Sequence, residues 1–133
     1  MKTKPTLTLD DTRRIAAAAE AEALRNNWAV SIAIADDGGH LLWLQRLDGA
    51  APISAQIAPA KAQTAAVGRR ESKVYEDMIN AGRHSFLSAP LTGMLEGGVP
   101  ILVDGQCVGA VGVSGVKSNE DAQIARAGIA ALG

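Results

Sequence analysis

Successive stretches of this chain keep their apolar residues in register, and the register changes from one stretch to the next. From about residue 9 to 26, Ile15, Ala16, Ala19 and Ala23 recur at three- and four-residue intervals, with Arg14, Glu20, Glu22 and Arg25 on the other side. This is a helix with one narrow inward stripe. Thr8 stands three residues before Asp11, which suits the unpaired N–H groups of a first helical turn, and Asn26-Asn27 close the last turn. Residues 28–36 alternate with period two: Trp28, Val30, Ile32 and Ile34 face one way, and Ala29, Ser31, Ala33 and Ala35 the other. Asp36-Asp37-Gly38-Gly39 follows, with Asp37-Gly38 as the positive-φ pair of a tight turn, and His40 to Leu47 is apolar again. The spacing predicts an antiparallel hairpin.

A helical period returns between residues 52 and 81, where Ala58, Ala62, Ala65 and Ala66 form a second small-residue face and Ile57, Lys61 and Thr64 an adjacent one. Pro59 interrupts it and predicts a kink or a first turn. Glu71–Asn80 reads as a further short helix, and Ala81–Thr92, which holds His84 and Pro90, as a loop. Val99–Val103, Asp104-Gly105 and Gln106–Ser114 repeat the hairpin pattern. Gly109 and Gly112 lack side chains inside the return strand, the mark of close approach by a helix, a partner chain or a flat ligand. Ser118 then caps a last helix whose inner face is Ala122, Ala125, Ile129 and Leu132. Two hairpins among helices predict an α+β fold, an antiparallel sheet flanked by helices, and disfavour a doubly wound nucleotide-binding sheet.

Composition sharpens this picture. A chain of 133 residues has room for one domain, here residues 1–133, and 25 alanines against four aromatic residues imply close backbone packing. A net charge of −1 offers no field for nucleic acid or an anionic membrane. One cysteine excludes an intrachain disulfide and fits a reducing cytoplasm; with two histidines it falls short of a structural zinc site. The N-terminus lacks an apolar run behind its lysines, so a soluble protein without a signal peptide is expected.

Candidate chemistry is sparse. His40 and His84 are candidate axial ligands to haem iron, or ordinary surface histidines. Cys107 is a candidate thiolate or an inert core residue. Arg46 and Asp48 end the second strand and Lys61 and Thr64 come from the next helix, so the four converge at one end of the sheet. They form either a carboxylate pocket or an Arg46–Asp48 ion pair beside a solvated Lys61. Arg69-Arg70 with Glu71 reads as a helix-terminal cluster. Gly97-Gly98 before a strand offers backbone N–H groups to an anion, or is turn punctuation.

The ordered segments Asp36-Asp37-Gly38-Gly39-His40-Leu41, Arg46-Leu47-Asp48, Lys61-Ala62, Gly97-Gly98-Val99-Pro100, Asp104-Gly105, Gly112-Val113-Ser114-Gly115 and Asp121-Ala122 resemble the GlcG/HbpS family of haem-binding proteins, whose fold also forms the C-terminal domain of PduO-type proteins. The resemblance spans residues 8 to 132; Gly68-Arg69-Arg70-Glu71 and Tyr75-Glu76 bring it nearest the GlcG branch of glycolate utilisation. It implies a profilin-like α/β/α domain with a central five-stranded antiparallel sheet, assembly into homo-oligomers up to octamers, and haem as cofactor. The matching positions are Arg46, Asp48, Lys61, Thr64, Gly97, Gly98 and Gly115. Two functions follow: a haem-binding or haem-sensing accessory protein linked to glycolate or small-diol catabolism, or an enzyme acting on a small hydroxy or oxo acid. In the enzyme, Arg46 would anchor the carboxylate and Lys61 or Asp48 would serve as the acid–base group.

Overall fold

In the computed structural model, which describes residues 1–133, the first helix α1 (Leu9–Arg25) starts where the Thr8 hydroxyl accepts the Asp11 N–H at 3.1 Å and the Asp11 carboxylate accepts the Thr8 N–H at 2.8 Å. Its buried stripe is the expected Ile15, Ala16, Ala19 and Ala23, with Thr12 added. Asn27, at φ 57°, turns the chain into β1 (Ser31–Asp36), which runs into β2 (Leu41–Arg46). The turn between them is wider than expected. Only Gly39 has positive φ, and the Asp36 carboxylate accepts the N–H groups of Gly38 and His40, each at 2.9 Å.

Next come α2 (Ser54–Gly68) and α3 (Lys73–Asn80). The first continues through Pro59, which forfeits one hydrogen bond inside the helix. Residues 81–92 are not wholly irregular, because His84–Ser88 forms a 3-10 turn. The second hairpin, β3 (Gly98–Val103) and β4 (Gln106–Ser114), turns at Asp104 and Gly105 with φ of 51° and 76°, the two-residue geometry expected. The last helix, α4 (Ser118–Ala130), is capped one residue earlier than expected: the Glu120 side chain accepts the Lys117 N–H at 3.3 Å.

The four strands pair antiparallel in the order β2-β1-β4-β3. The expected five-stranded sheet is therefore corrected to four. Between α3 and β3 the chain carries Gly82, Pro90, Gly93 and Gly97 without period-two alternation, and it folds as the 3-10 turn and loop. One sheet face packs against α1 and α4 through Val30, Ile32, Ile34, Val111 and Val113; the other packs against α2 through Ala33, Ala35 and Ala110. That second layer is thin because both sides are methyl-sized. At Gly112 a Cβ would overlap the Ala58 carbonyl, so the close approach signalled by this glycine is that of α2. No helix is long and apolar enough to cross a membrane.

Candidate functional site

Lys61 and Thr64 are buried on α2, and Gly97-Gly98 enters β3 directly against Lys61. The Lys61 ammonium donates to the Val113 carbonyl at 2.9 Å and to the Asp121 carboxylate at 3.1 Å, with the two side chains only 4% and 3% exposed. The other Asp121 oxygen accepts the Val116 N–H at 3.1 Å. Burial pushes the Asp121 carboxyl above its ordinary range, while the Lys61 charge and the Val116 N–H oppose that shift.

The glycines make room for this node. Gly97, at φ 132°, would bring a Cβ to 2.8 Å from the Lys61 ammonium, and a Cβ on Gly98 would overlap the Lys61 carbonyl. The Gly98 N–H is donated to the Ser72 hydroxyl at 2.8 Å, and the Gly97 carbonyl accepts the Val113 N–H at 3.1 Å. The expected meeting of Lys61 with Gly97-Gly98 occurs, but as a packed junction. The Thr64 hydroxyl beside it is buried without a hydrogen-bond partner. Gly115, at φ 146°, plays a similar spatial role against the Ala29 carbonyl.

Arg46 and Asp48 stand apart from this junction. Arg46 is exposed opposite Ser31, and no ion pair joins it to Asp48. Asp48 lies instead with Glu20, Asn27 and Trp28 along a shallow cleft of about 330 Å³. The solvated Lys61 considered from sequence is overturned by its burial at 3%. His40 is 82% exposed in its side chain and leans on the Asp36 carboxylate at 3.2 Å. Cys107 is buried, its thiol against the Gly109 carbonyl at 3.4 Å.

A different place in the molecule has the character of a ligand site. A cleft of about 380 Å³ opens beside α3, lined by Glu76, Ile79 and Asn80, by Leu87 of the 3-10 turn, and by Leu91, Thr92, Met94 and Leu95. Ser72 fixes the start of α3 by donating to the Leu95 carbonyl, and Glu76 accepts the Glu96 N–H at 2.8 Å. Tyr75 stacks on Phe86 with ring centroids 5.3 Å apart, which joins α3 to the 3-10 turn. The exposed His84 opens the same 3-10 turn, three residues before Leu87. Of the two candidate histidines, only His84 belongs to an element that contributes a residue, Leu87, to this cleft.

Asp121, Glu76, Met94 and the leucines of this cleft were not singled out as site residues. Asp121 read as an acid in the first turn of a helix. The signal for the cleft was Leu87, Leu91 and Leu95 standing among glycine and proline, large apolar side chains in a segment with no strand or helix face to bury them.

The sequence matches the family described as haem degrading protein HbpS-like over residues 7–130. This chain belongs to the HbpS-like family. It is 60% identical to protein GlcG of Escherichia coli K12 over 114 residues, which covers 86% of this chain and 85% of GlcG. Among solved HbpS-like folds, a Streptomyces reticuli HbpS variant superposes with a TM-score of 0.89 at 31% identity, covering 100% of this chain and 91% of that one. The PduOC–heme complex superposes with a TM-score of 0.85 at 27% identity, covering 96% and 95%.

Proposed function

We propose that this HbpS-like chain binds haem in the cleft beside α3, with His84 as axial ligand, and serves as a haem-binding or haem-sensing accessory protein. The observation that carries this reading is the apolar cleft beside α3, to which the 3-10 turn that begins with the exposed His84 contributes Leu87. The likeness to a haem-complexed PduOC and to HbpS supports it, and the likeness to GlcG supports a link to glycolate use.

The residues present fit the group. Haem is flat and largely apolar, and a cleft of about 380 Å³ with five hydrophobic residues among its eight lining residues offers it a matching wall. Bound haem would supply an iron centre that accepts a neutral imidazole, the best haem ligand type this chain exposes. Leu87, Leu91 and Leu95 would shield the bound group from water. The Met94 thioether adds a soft, adaptable surface. His40 lacks such a wall and is engaged with Asp36.

Titration of the purified protein with haem tests this. We expect a Soret band that His84→Ala shifts or abolishes and His40→Ala leaves unchanged. Absence of any haem-dependent band, or identical spectra in the parent and His84→Ala, would overturn the assignment.

We also propose that the chain self-associates. β2 is an unpaired sheet edge, and Leu41 and Leu44 on it are 51% and 41% exposed. They share the sheet face beside α2, where Ile53 and Val67 are 60% and 44% exposed. An apolar edge without lysine or proline to guard it is a surface that natural proteins cover.

A further inference from the structure

We propose that the cleft between the end of α1 and the end of β2 is a second binding site, one that takes a small organic cation: a protonated amine on an apolar stem. The cleft holds about 330 Å³ and is lined by two carboxylates, Glu20 and Asp48, by the Asn27 amide, and by Trp28, Leu24 and Leu47. No lysine, arginine or histidine lines it. A hollow whose wall is aromatic and aliphatic, and whose only charges are negative, matches a ligand of opposite charge with an apolar body. It shares no lining residue with the cleft beside α3.

The two acids come from different elements, and the chain supplies neither with a cation. Asp48, exposed just past β2, and Glu20 enter none of the seven ion pairs. Glu20 accepts the Gln45 amide at 3.3 Å, and Gln45 is itself fixed by the Trp43 indole N–H at 2.8 Å. This relay orients one carboxylate oxygen before any ligand arrives and leaves the other for binding. Arg46 does not neutralise the cleft. It stands directly opposite Ser31, whose hydroxyl meets that of Ser54 on α2 at 2.8 Å. Residues directly opposite in an antiparallel pair share a face, so Arg46 belongs to the α2 side of the sheet and Glu20, on α1, to the other. Arg25, in the last turn of α1, is held by Glu22. The carboxylates attract an ammonium group, and the Trp28 indole adds the attraction of an aromatic ring for a cation. Two carboxylates and an amide fall short of the roughly six to eight oxygens that calcium takes, so the wall favours an amine over a bare metal ion.

The test titrates phenethylamine, phenethyl alcohol and phenylpropionate, alike in apolar body and different in charge, into the nitrogen-labelled protein. NMR follows the indole N–H signal of Trp28, assigned by its loss in Trp28→Phe. We expect saturable binding of the amine with a dissociation constant on the order of 1 mM, about tenfold tighter than the alcohol, and no binding of the acid. Asp48→Asn and Glu20→Gln keep the side-chain shape and remove one charge each. Each should weaken the amine severalfold and leave the alcohol unchanged, with thermal melting to show that the variants fold. Equal binding of amine and alcohol by the parent, or a preference for the amine that persists in the folded double variant, would overturn the site. A Trp28 signal that moves with none of the three probes would do the same.

Discussion

Removing the ammonium of Lys61 would leave the Asp121 carboxylate buried without its cation, and removing the carboxylate would strand the ammonium. Either change is expected to cost about 3–5 kcal/mol at neutral pH, because one half of a buried pair cannot return to water while the fold persists. Lys61→Met has a further signature. Burial already raises the Asp121 pKa, and loss of the opposing lysine raises it more. A folded-state value above the unfolded one means that stability is retained at acid pH and lost as pH rises through the folded value. The deficit of Lys61→Met against the parent should therefore shrink as the solution is acidified. Urea melts of both proteins at neutral and acid pH measure this directly; a deficit independent of pH would contradict the role given to the pair. Such a junction suits structure better than acid–base catalysis, since its ammonium is already bound on two sides and sealed from solvent.

At the level of elements, the contact between α2 and β4 is made by what the side chains lack. Ala58, Ala62, Ala65 and Ala66 meet a strand surface of Ala110 and Gly112, and a Cβ on Gly112 would overlap backbone atoms of α2, which have no rotamer by which to yield. Gly112→Ala is therefore expected to destabilise by about 1–3 kcal/mol or more, whereas a loss of stability no larger than a few tenths would show that α2 can lift from the sheet. Calorimetry on the two proteins decides it. Because Lys61 sits on the same helix as these alanines, the thin layer also sets how far α2 stands from Gly97 and hence whether the ion pair closes.

For the whole molecule, the apolar residues left outside the core point to assembly. Leu44 faces solvent on the edge strand although its neighbours on β1 are buried. Light scattering at micromolar concentration should give a mass well above that of one chain, and Leu44→Glu should lower it, because a charge on an apolar edge opposes burial against a second copy. A parent protein that scatters as one chain would remove the proposal.

Local chemistry was enough to read most of the elements from the sequence. Ile15, Ala16, Ala19 and Ala23 are buried on α1, Thr8 and Asp11 form its cap, and Asp104-Gly105 turns the second hairpin, since each depends on residues a few positions apart. The site depended on distance in space instead. Lys61 and Asp121 are sixty positions apart and became partners only when α2 and α4 closed on the end of β4. Arg46 and Asp48 share a strand end with nothing folded over them, so their proximity in sequence to Lys61 did not become a shared pocket. The cleft beside α3 comes from a segment without periodicity, whose leucines gain a common surface only because Tyr75 and Phe86 stack and Ser72 ties α3 to the start of β3. Periodicity and capping are properties of neighbouring residues; burial of a charge and the shape of a cleft belong to the packed chain, and only the tertiary structure decided them.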